Sequence, residues 1–280
     1  IWSKVISRIW FAWNVWRKSD SPTDVIDLVL TTSPEAWDGA GVETASVIRT
    51  PSGEYRMYYT GNRPPEGNNH YAIGLATSQD GITWKKYGKG PIFEPKNYWE
   101  LPTCTNPNDP LSCSNGGVLE PSVLYDSKEK IYKMWYAAVG TKEDFLTFRV
   151  GYATSANGIS WDRKSEPILD RVKSNSWNDY LVSHVNVVPD PQLGYHLFYF
   201  GAKLADYCEN CALQRGNIGH AYSADGIQWQ QDPRNPILSP RKGRWDEWAI
   251  GGPSVLAREG ELLLWYFGQK NKNSIAESGV

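Results

Sequence analysis

The sequence of 280 residues lacks an excess of charge of either sign and lacks a long apolar run. Its 29 Lys and Arg residues nearly balance 31 Asp and Glu residues, so the formal net charge is −2, and no basic run is present. This charge pattern excludes the electrostatic footprint of a nucleic-acid-binding protein and a polybasic membrane patch. No apolar stretch approaches the ~20 residues of a transmembrane helix. The sequence therefore predicts neither nucleic acid nor a membrane as a partner, and it does not indicate an oligomeric state.

Cysteine is scarce, with four residues in two local pairs: Cys104 with Cys113, and Cys208 with Cys211. An even number of cysteines in irregular loops is typical of disulfides formed in an oxidising compartment, which favours a secreted or periplasmic protein. Unpaired structural thiols are the main alternative. A Cys-x-x-Cys pair also occurs in redox and zinc sites, but His196 and His220 lack the spacing of zinc-finger ligands.

One phrase of seven residues, Ser-x-[Asp/Asn]-Gly-Ile-x-Trp, occurs three times, at residues 78–84, 155–161 and 223–229. A strand of small residues precedes each copy, and Pro-Ile follows it. An Asp-Gly or Asn-Gly pair can take the positive φ angles of a two-residue hairpin turn, so each copy predicts a strand, a tight turn and a second strand. The regular recurrence predicts one structural unit that is repeated along the chain.

Each predicted unit also contains an aromatic-rich alternating run, which is typical of a strand, and a shorter apolar strand before it. These shorter strands lie at 45–48, 121–124, 185–188 and 253–256. The unit is therefore a four-stranded antiparallel meander. Such meanders repeated around an axis form a β-propeller, in which no long sheet edge is left open. We count four repeats and predict a single all-β propeller domain that spans residues 1–280.

The two ends of the chain are predicted to complete one unit together. The fourth unit stops at residues 274–280, before its turn phrase, whereas residues 16–22 resemble the outer-strand segment that begins at Trp161. An N-terminal strand paired with the C-terminal unit would close the propeller, and residues 1–11 are a candidate remnant of another blade. The polar residues within 1–16 favour a strand over the apolar core of a signal peptide. The alternative is that this sequence is part of a longer chain.

The innermost strands contain the candidate catalytic residues, because the first strand of each blade lines the central channel and its first residues open onto one face. Aligned on the Ser or Asn that recurs in these strands, the positions two and three residues upstream contain only two carboxylates, Glu43 and Glu120. Two carboxylates in one pocket can act as a protonated acid and an ionised base or nucleophile, which is the chemistry that cleaves a glycosidic bond. The alternative is that each accepts hydrogen bonds from neighbouring backbone N–H groups.

The chain resembles the five-bladed β-propeller glycoside hydrolases, a group that includes arabinanases, β-xylosidases, invertases and levansucrases. The similarity lies in the phrase Ile-Gly-x-Ala-x-Ser-x-Asp-Gly-Ile-x-Trp followed by Pro-Ile, and it covers essentially the whole repeat region. The resemblance implies five blades and a neutral oligosaccharide or polysaccharide as substrate. It implies no required cofactor and leaves room for an ion in the channel.

The resemblance also implies roles for the two glutamates. Glu120-Pro-Ser resembles an Asp-Pro-Ser segment that holds the base or nucleophile, and Glu43-Thr-Ala resembles a Glu-x-Pro segment that holds the acid. Both segments depart from the pattern, since Glu replaces Asp in the first and Pro is missing from the second. No third carboxylate occupies the aligned positions. A non-catalytic carbohydrate-binding propeller and a protein-interaction propeller are therefore the alternatives to a glycosidase.

Five further residues are candidate substrate ligands: Asp38, His184, Asp246, Trp99 and Trp248. Asp38 and Asp246 each follow a Trp and could reach inward from loops, although their recurrence also fits a role in capping blade corners. His184 is aligned with Glu120, and the resemblance implies that it orients substrate or ligates an ion; the alternative is a hydrogen-bonded core histidine.

Aromatic residues are numerous, and most are explained by packing between blades. Trp99, Trp248 and Tyr180 lie in predicted loops, where an aromatic ring could stack on a sugar.

Overall fold

The computed structural model describes residues 29–33, 36–63, 70–102, 116–140, 147–172, 176–207, 214–258, 260–272 and 277–279. The strands are β1 (Gly41–Arg49), β2 (Tyr55–Arg63), β3 (His70–Ser78), β4 (Lys85–Lys86), β5 (Gly116–Asp126), β6 (Ile131–Gly140), β7 (Thr147–Ser155), β8 (Asp162–Arg163), β9 (Leu181–Asp190), β10 (Gly194–Ala202), β11 (Asn217–Ser223), β12 (Gln230–Gln231), β13 (Ala249–Arg258), β14 (Glu261–Gln269) and β15 (Glu277–Gly279). In these ranges the one helix is a 3₁₀ turn, Leu204–Asp206, which is far too short to cross a membrane. The prediction of an all-β fold is confirmed.

The third repeat forms a separate sheet of four antiparallel strands in the order β12-β11-β10-β9. Its second strand presents Tyr199 over Gly219 of the third strand, and a Cβ atom on Gly219 would lie 2.6 Å from the tyrosine ring. The first two repeats place a tyrosine over Gly74 and Gly151 in the same way. Because the glycine of the Ile-Gly-x-Ala phrase has no side chain, it leaves room for the tyrosine ring of the neighbouring strand.

The first two repeats differ from the prediction of separate four-stranded sheets. Their strands form one eight-stranded sheet in the order β1-β2-β3-β5-β6-β7-β8, with β4 paired to β3. A short parallel pairing joins β3 to β5, with Tyr71 opposite Gly117. Gly117 has a φ of 138°, and a Cβ atom there would lie 2.2 Å from the carbonyl oxygen of Tyr71. The absence of a side chain allows the two backbones to approach closely enough to pair.

The fourth repeat contributes β13, β14 and β15 in that order. The N-terminal strand that was predicted to close the propeller falls within residues 1–28, which lie outside the described residues, as do all four cysteines.

The chain divides into two compact units. The first contains Ile1–Met134, Val139–Leu146 and Thr154–Asp162, and the second contains Trp135–Ala138, Thr147–Ala153 and Arg163–Val280. The first strands of the first two repeats, β1 and β5, belong to the first unit, and those of the last two, β9 and β13, belong to the second.

The turn phrase forms a longer turn than the two-residue hairpin that its Asp-Gly pair predicts. In the first copy, residues 79–84 connect β3 to β4, and only Gly81 of the pair has a positive φ. The Oδ1 atom of Asp80 accepts hydrogen bonds from the backbone N–H groups of Ile82 (2.8 Å) and Thr83 (2.7 Å), and Ser78 Oγ accepts one from Gly81 at 2.9 Å. Side-chain oxygens therefore satisfy the backbone N–H groups of this turn, so it can be longer than a two-residue hairpin.

The turn phrase also packs on the preceding repeat. Within the first unit, Tyr58 of β2 donates a hydrogen bond to the carbonyl oxygen of Gly158 at 3.0 Å and lies edge-on to Trp161. Within the second unit, Trp135 of β6 makes the equivalent bond to Gly226 at 2.7 Å and lies edge-on to Trp229. The first repeat is thus fixed to the second, and the second to the third, by one aromatic donor and one tryptophan.

Replacement of Asp225, the third copy's turn acceptor, is expected to separate the role of hydrogen bonding from that of charge. Its Oδ1 accepts bonds from Ile227 and Gln228, both at 2.8 Å, so Asp225→Ala should reduce the free energy of unfolding by about 1 kcal/mol. Asp225→Asn should retain most of this stability, because Asn157 accepts the same two hydrogen bonds in the second copy. Urea denaturation at pH 7 measures both, and an equal loss in the two variants would contradict this account.

The pH dependence of Asp225 has a defined sign. Burial raises the pKa of its carboxyl group, but the hydrogen bonds from Gln228 and Ile227 outweigh burial and hold the pKa below its ordinary value. A lowered pKa in the folded state stabilises the protein above the unfolded pKa of about 4, and this contribution is lost as the pH falls below it. The Asp225→Asn variant should therefore lose less stability than the wild type on acidification.

Candidate active site

The first strands of the four repeats, β1, β5, β9 and β13, share an unusual backbone conformation close to their first residues. The residue two places before the recurring Ser or Asn is left-handed in all four, with φ of 44° at Thr44, 54° at Glu120, 47° at His184 and 55° at Gly252. We call these four residues the bulge positions. A left-handed backbone costs about 1–2 kcal/mol in a residue other than glycine. Among the described residues, Lys130 is the one other non-glycine residue with a positive φ.

Irregular pairing accompanies this conformation. The register of β1 against β2 shifts between Glu43 and Ser46, and that of β13 against β14 shifts between Gly251 and Ser254. A bulge turns side chains away from the regular alternation of a strand, and strained residues of this kind concentrate at functional sites. Glu43 lies at the register shift of β1, and Glu120 has the same left-handed conformation as Thr44, the residue after Glu43.

Thr60 connects the two glutamate-bearing strands of the first unit. This fully buried residue of β2 lies opposite Glu43 in the strand register. Its Oγ1 atom is 2.6 Å from the hydroxyl oxygen of Thr44 and accepts a hydrogen bond from the backbone N–H of Glu120 at 2.8 Å. Two hydrogen bonds through one hydroxyl therefore join the backbone of Glu120 to the residue that follows Glu43.

A second bond ties the same strands further along, where the side chain of Ser46 accepts from the backbone N–H of Val123 at 3.0 Å. In the second unit, Asn186 accepts from the backbone N–H of Val255 at 2.9 Å. Ser46 thus fixes β1 to β5, and Asn186 fixes β9 to β13. Glu120 is 7% exposed and Glu43 is half-buried, so the two carboxylates differ in their access to water.

His184 occupies the equivalent bulge position in the second unit and is lined by aromatic rings. Its Nδ1 atom is 3.1 Å from the hydroxyl oxygen of Ser183. The rings of Phe200 and Phe267 lie edge-on to the imidazole, with centroid distances of 6.0 and 6.1 Å. A half-buried imidazole between two apolar rings can present a polar atom to a ligand whose apolar faces contact the phenylalanines.

Sequence reasoning missed Thr60, Phe200 and Phe267, although the repeats contain a signal for them. All three occupy the residue directly before the Gly of the second strand, as in Tyr-Thr-Gly and Tyr-Phe-Gly. In the structure, Thr60 is opposite Glu43, Phe200 is opposite Ser183, and Phe267 is opposite Gly251. Alignment of the second strands, as well as the first, would have placed them beside the bulge positions.

Asp38 and Asp246 are fully buried. Asp38 accepts hydrogen bonds from Lys86 and from the hydroxyl of Tyr59, and Asp246 accepts from Arg241 Nε and from the hydroxyl of Tyr266, both at 2.8 Å. Burial and the bond to Asp246 raise the pKa of Tyr266 to about 12, so it stays a donor at neutral pH. These contacts support the corner-capping role, and we do not place either aspartate among the residues that contact substrate.

The two candidate tryptophans have different surroundings. Trp99 is 1% exposed, so its ring belongs to the core rather than to an open surface. Trp248 is half-buried, and the guanidinium group of Arg215 lies over its ring at 4.8 Å from the centroid. Arg215 also donates to the carbonyl oxygen of Trp248 at 3.3 Å. One face of the Trp248 ring is therefore covered by a cation, which leaves at most the other face for a sugar.

Within the described residues, no group of three or more His, Cys, Asp or Glu side chains is arranged to hold a metal ion. Glu43, Glu120 and Thr60 belong to the first unit, and His184, Phe200 and Phe267 belong to the second.

No family model matches the chain. Among curated proteins, an uncharacterised protein of Mycobacterium tuberculosis is 26% identical over 237 residues, which cover 83% of this chain and 68% of that protein. A 1,2-beta-oligomannan phosphorylase of a Thermoanaerobacter species is 23% identical over 262 residues, which cover 91% of this chain and 72% of the phosphorylase.

The chain is also similar to solved glycoside hydrolase structures. One described simply as a glycoside hydrolase has a TM-score of 0.63 at 16% identity and covers 85% of this chain and 69% of that chain. A thermostable family-43 glycoside hydrolase has a TM-score of 0.59 at 18% identity, with coverages of 83% and 67%. A structure from the GH130 family, described as containing hydrolases that target β-1,2-mannosidic linkages in Candida mannan, has a TM-score of 0.58 at 18% identity, with coverages of 86% and 67%. These similarities show a shared fold.

Replacement of Thr60 tests whether its hydroxyl holds the two strands together. Thr60→Val keeps the shape but leaves the N–H of Glu120 without this acceptor, so the free energy of unfolding should fall by about 1–3 kcal/mol. Thr60→Ser keeps the hydroxyl and should lose less. Chemical denaturation of both variants provides the comparison, and a larger loss in the serine variant would count against the connection.

Proposed function

We propose that the protein is a glycoside hydrolase that cleaves a neutral oligosaccharide or polysaccharide at the mouth of a propeller channel. In this proposal the repeats are the four-stranded blades of a five-bladed propeller, which the N-terminal strand closes. The observation that carries the proposal is that Glu120 has a left-handed backbone, that Glu43 directly precedes a residue that has one, and that hydrogen bonds through Thr60 join the backbone of Glu120 to Thr44. Strain at these positions is accounted for if the bulges aim the side chains at a bound sugar.

The two glutamates have different roles in the proposed reaction. Glu43, the more exposed, donates a proton from its protonated carboxyl group to the glycosidic oxygen as the bond to the anomeric carbon breaks. Glu120 is ionised and either attacks the anomeric carbon or removes a proton from the water that attacks it. In the first case a second step with water releases the sugar and restores Glu120, and Glu43 then acts as the base.

His184 is proposed to orient the substrate. Its imidazole can hydrogen-bond a sugar hydroxyl, while Phe200 and Phe267 contact the apolar faces of the ring. This arrangement is typical of sites that combine apolar walls with a few polar groups that fix orientation.

Phosphorolysis is the second candidate function, and the similarity to a 1,2-beta-oligomannan phosphorylase favours it. In that reaction inorganic phosphate takes the place of water at the anomeric carbon, and the products are a sugar phosphate and a shortened chain. The names of this relative and of the GH130 structure make β-1,2-linked mannosides the first substrates to test.

A panel of oligosaccharides, beginning with β-1,2-mannobiose and longer β-1,2-mannosides, tests the proposal. The purified protein is incubated with each compound with and without phosphate, and free sugar and sugar phosphate are measured separately. Release of free sugar without phosphate supports the hydrolase, and phosphate-dependent release of sugar phosphate supports the phosphorylase. Calorimetric binding without cleavage of any compound would indicate a carbohydrate-binding protein and would overturn the proposal.

A further inference from the structure

Two histidines lie in contact in the third repeat, outside the residues assigned to the reaction. His196 is on β10 and His220 is on the neighbouring strand β11, both in the second unit. The Nδ1 atom of His196 is 2.9 Å from the Nε2 atom of His220. Only 13% and 12% of the two side chains are exposed. This distance is that of a hydrogen bond, so one ring donates to the other.

Each imidazole also contacts a carboxylate through its other nitrogen. His196 Nε2 is 3.3 Å from Oδ2 of Asp190, at the end of β9. His220 Nδ1 is 3.0 Å from Oδ2 of Asp232, which directly follows β12. The four side chains therefore form one series across the sheet of the third repeat, in the order Asp190, His196, His220 and Asp232.

Hydrogen bonds keep both carboxyl groups of this series ionised. Bonds from the backbone N–H groups of Leu193 and Gln192 lower the pKa of Asp190. Bonds from Arg234 lower the pKa of Asp232, and the Nη2 atom of the arginine is 2.7 Å from Oδ2. The series therefore ends in two negative charges, and the guanidinium group lies against one of them.

The number of protons that satisfies the series follows from its contacts. An ionised carboxylate only accepts hydrogen bonds, so the two carboxylates require one N–H group each. The contact between the rings requires one N–H group and one lone pair. Three of the four ring nitrogens therefore carry a proton, which makes the pair one imidazole and one imidazolium. Two carboxylates, one guanidinium and one imidazolium together have no net charge.

The surroundings of the pair are largely apolar. The ring of Phe198 lies 6.4 Å from that of His196 and 4.9 Å from that of His220, between centroids. Phe198 is in one core cluster with Val255 of β13. Tyr222 lies opposite His196 in the strand register and adds a titratable group. Little water is therefore available to stabilise a second positive charge on the pair.

His220 is the ring that resists a second proton. Burial lowers its pKa, and the charges of His196 and Arg234 lower it further, so that the opposite effect of Asp232 is outweighed. A lowered pKa of a histidine stabilises the folded state above the unfolded pKa of about 6.5, and this contribution is lost as the pH falls below it.

We propose that His196 and His220 form a pH-sensitive switch, which is closed by one shared proton and opened by a second. The first proton completes the three hydrogen bonds of the series. A second proton places two N–H groups and two positive charges against each other, and the contact between the rings breaks. Acidification therefore removes a side-chain connection between β10 and β11.

NMR of the full protein with ¹⁵N-labelled histidine tests the switch as the pH is lowered from about 8 to about 4.5. In the wild type, the pair should take up its two protons in steps at least about one pH unit apart. Between the steps, three of its four ring nitrogens should carry a proton. In His196→Gln, His220 should take up its proton at least about one pH unit above the second step of the wild type.

The reciprocal variant His220→Gln assigns the signals among the four histidines and gives the comparison if His196→Gln is unfolded. Urea denaturation adds a second measurement. At about pH 5, unfolding of the wild type should take up about one proton more than unfolding of either variant, since the unfolded chain protonates both rings. Protonation of both rings together near one pH, or stepwise uptake that His196→Gln leaves in place, would overturn the switch.

Discussion

Glu120→Gln is expected to lower turnover by about 100- to 10,000-fold without destabilising the protein. The amide keeps the shape of the carboxylate but cannot act as a base or nucleophile. Glu120 is nearly buried and has a left-handed backbone, so it occupies an unfavourable position that function would explain. Glu120→Asn should raise the melting temperature above that of the wild type, because Asn tolerates the left-handed backbone conformation better than Glu.

Glu100 offers a matched control in the same unit. It is fully buried, and its Oε2 atom accepts hydrogen bonds from the backbone N–H groups of Lys96 (2.7 Å) and Asn97 (2.8 Å). Glu100→Gln should therefore destabilise the protein by about 1–3 kcal/mol, and the folded fraction should keep its turnover. Glu120→Gln is thus predicted to lose turnover and keep its stability, whereas Glu100→Gln is predicted to lose stability and keep its turnover. Loss of stability without loss of turnover in Glu120→Gln would show that Glu120 has a structural role instead.

Glu43→Gln is expected to reduce turnover of an oligosaccharide by a similar factor, but its effect should depend on the leaving group. A sugar leaves as an alkoxide unless it is protonated, and Glu43 is proposed to supply that proton. An aryl glycoside of the same sugar with an electron-poor phenol leaves without protonation. Glu43→Gln should therefore approach wild-type turnover in the bond-breaking step on the aryl substrate, whereas Glu120→Gln should be slow on both.

Single-turnover kinetics on the two substrates measures this difference. An equal loss on the oligosaccharide and on the aryl glycoside would remove Glu43 as the acid. A reversed pattern, in which Glu120→Gln recovers with the activated leaving group, would exchange the roles of the two residues.

The features that follow from local chemistry could be predicted from the sequence. The Ser-x-Asp-Gly phrase marks a turn because its side chains and Gly81 determine the local backbone, and the recurring Ser or Asn aligned the first strands of the repeats on the same left-handed residue. The length of the turn could not be predicted, because Asp80 bonds to residues beyond the Gly and so prevents the tight hairpin that Asp-Gly usually forms.

Features that depend on contacts distant in sequence were not predictable. The pairing of β3 with β5 depends on the approach of Gly117 to Tyr71, and a glycine alone does not reveal its partner. The burial of Trp99 and Asp38 similarly depends on how their loops fold back. Neither residue type signals the left-handed φ at Glu120 and His184.

The separation of the Glu43 and Glu120 carboxyl groups, measured in a crystal of Glu120→Gln with a bound oligosaccharide, tests the central claim most directly. The account predicts that the two groups lie on opposite sides of one glycosidic bond. A separation of about 5–5.5 Å would indicate retention of anomeric configuration, and about 6.5–9.5 Å would indicate inversion. A much larger separation, or an oligosaccharide bound away from both residues, would contradict it.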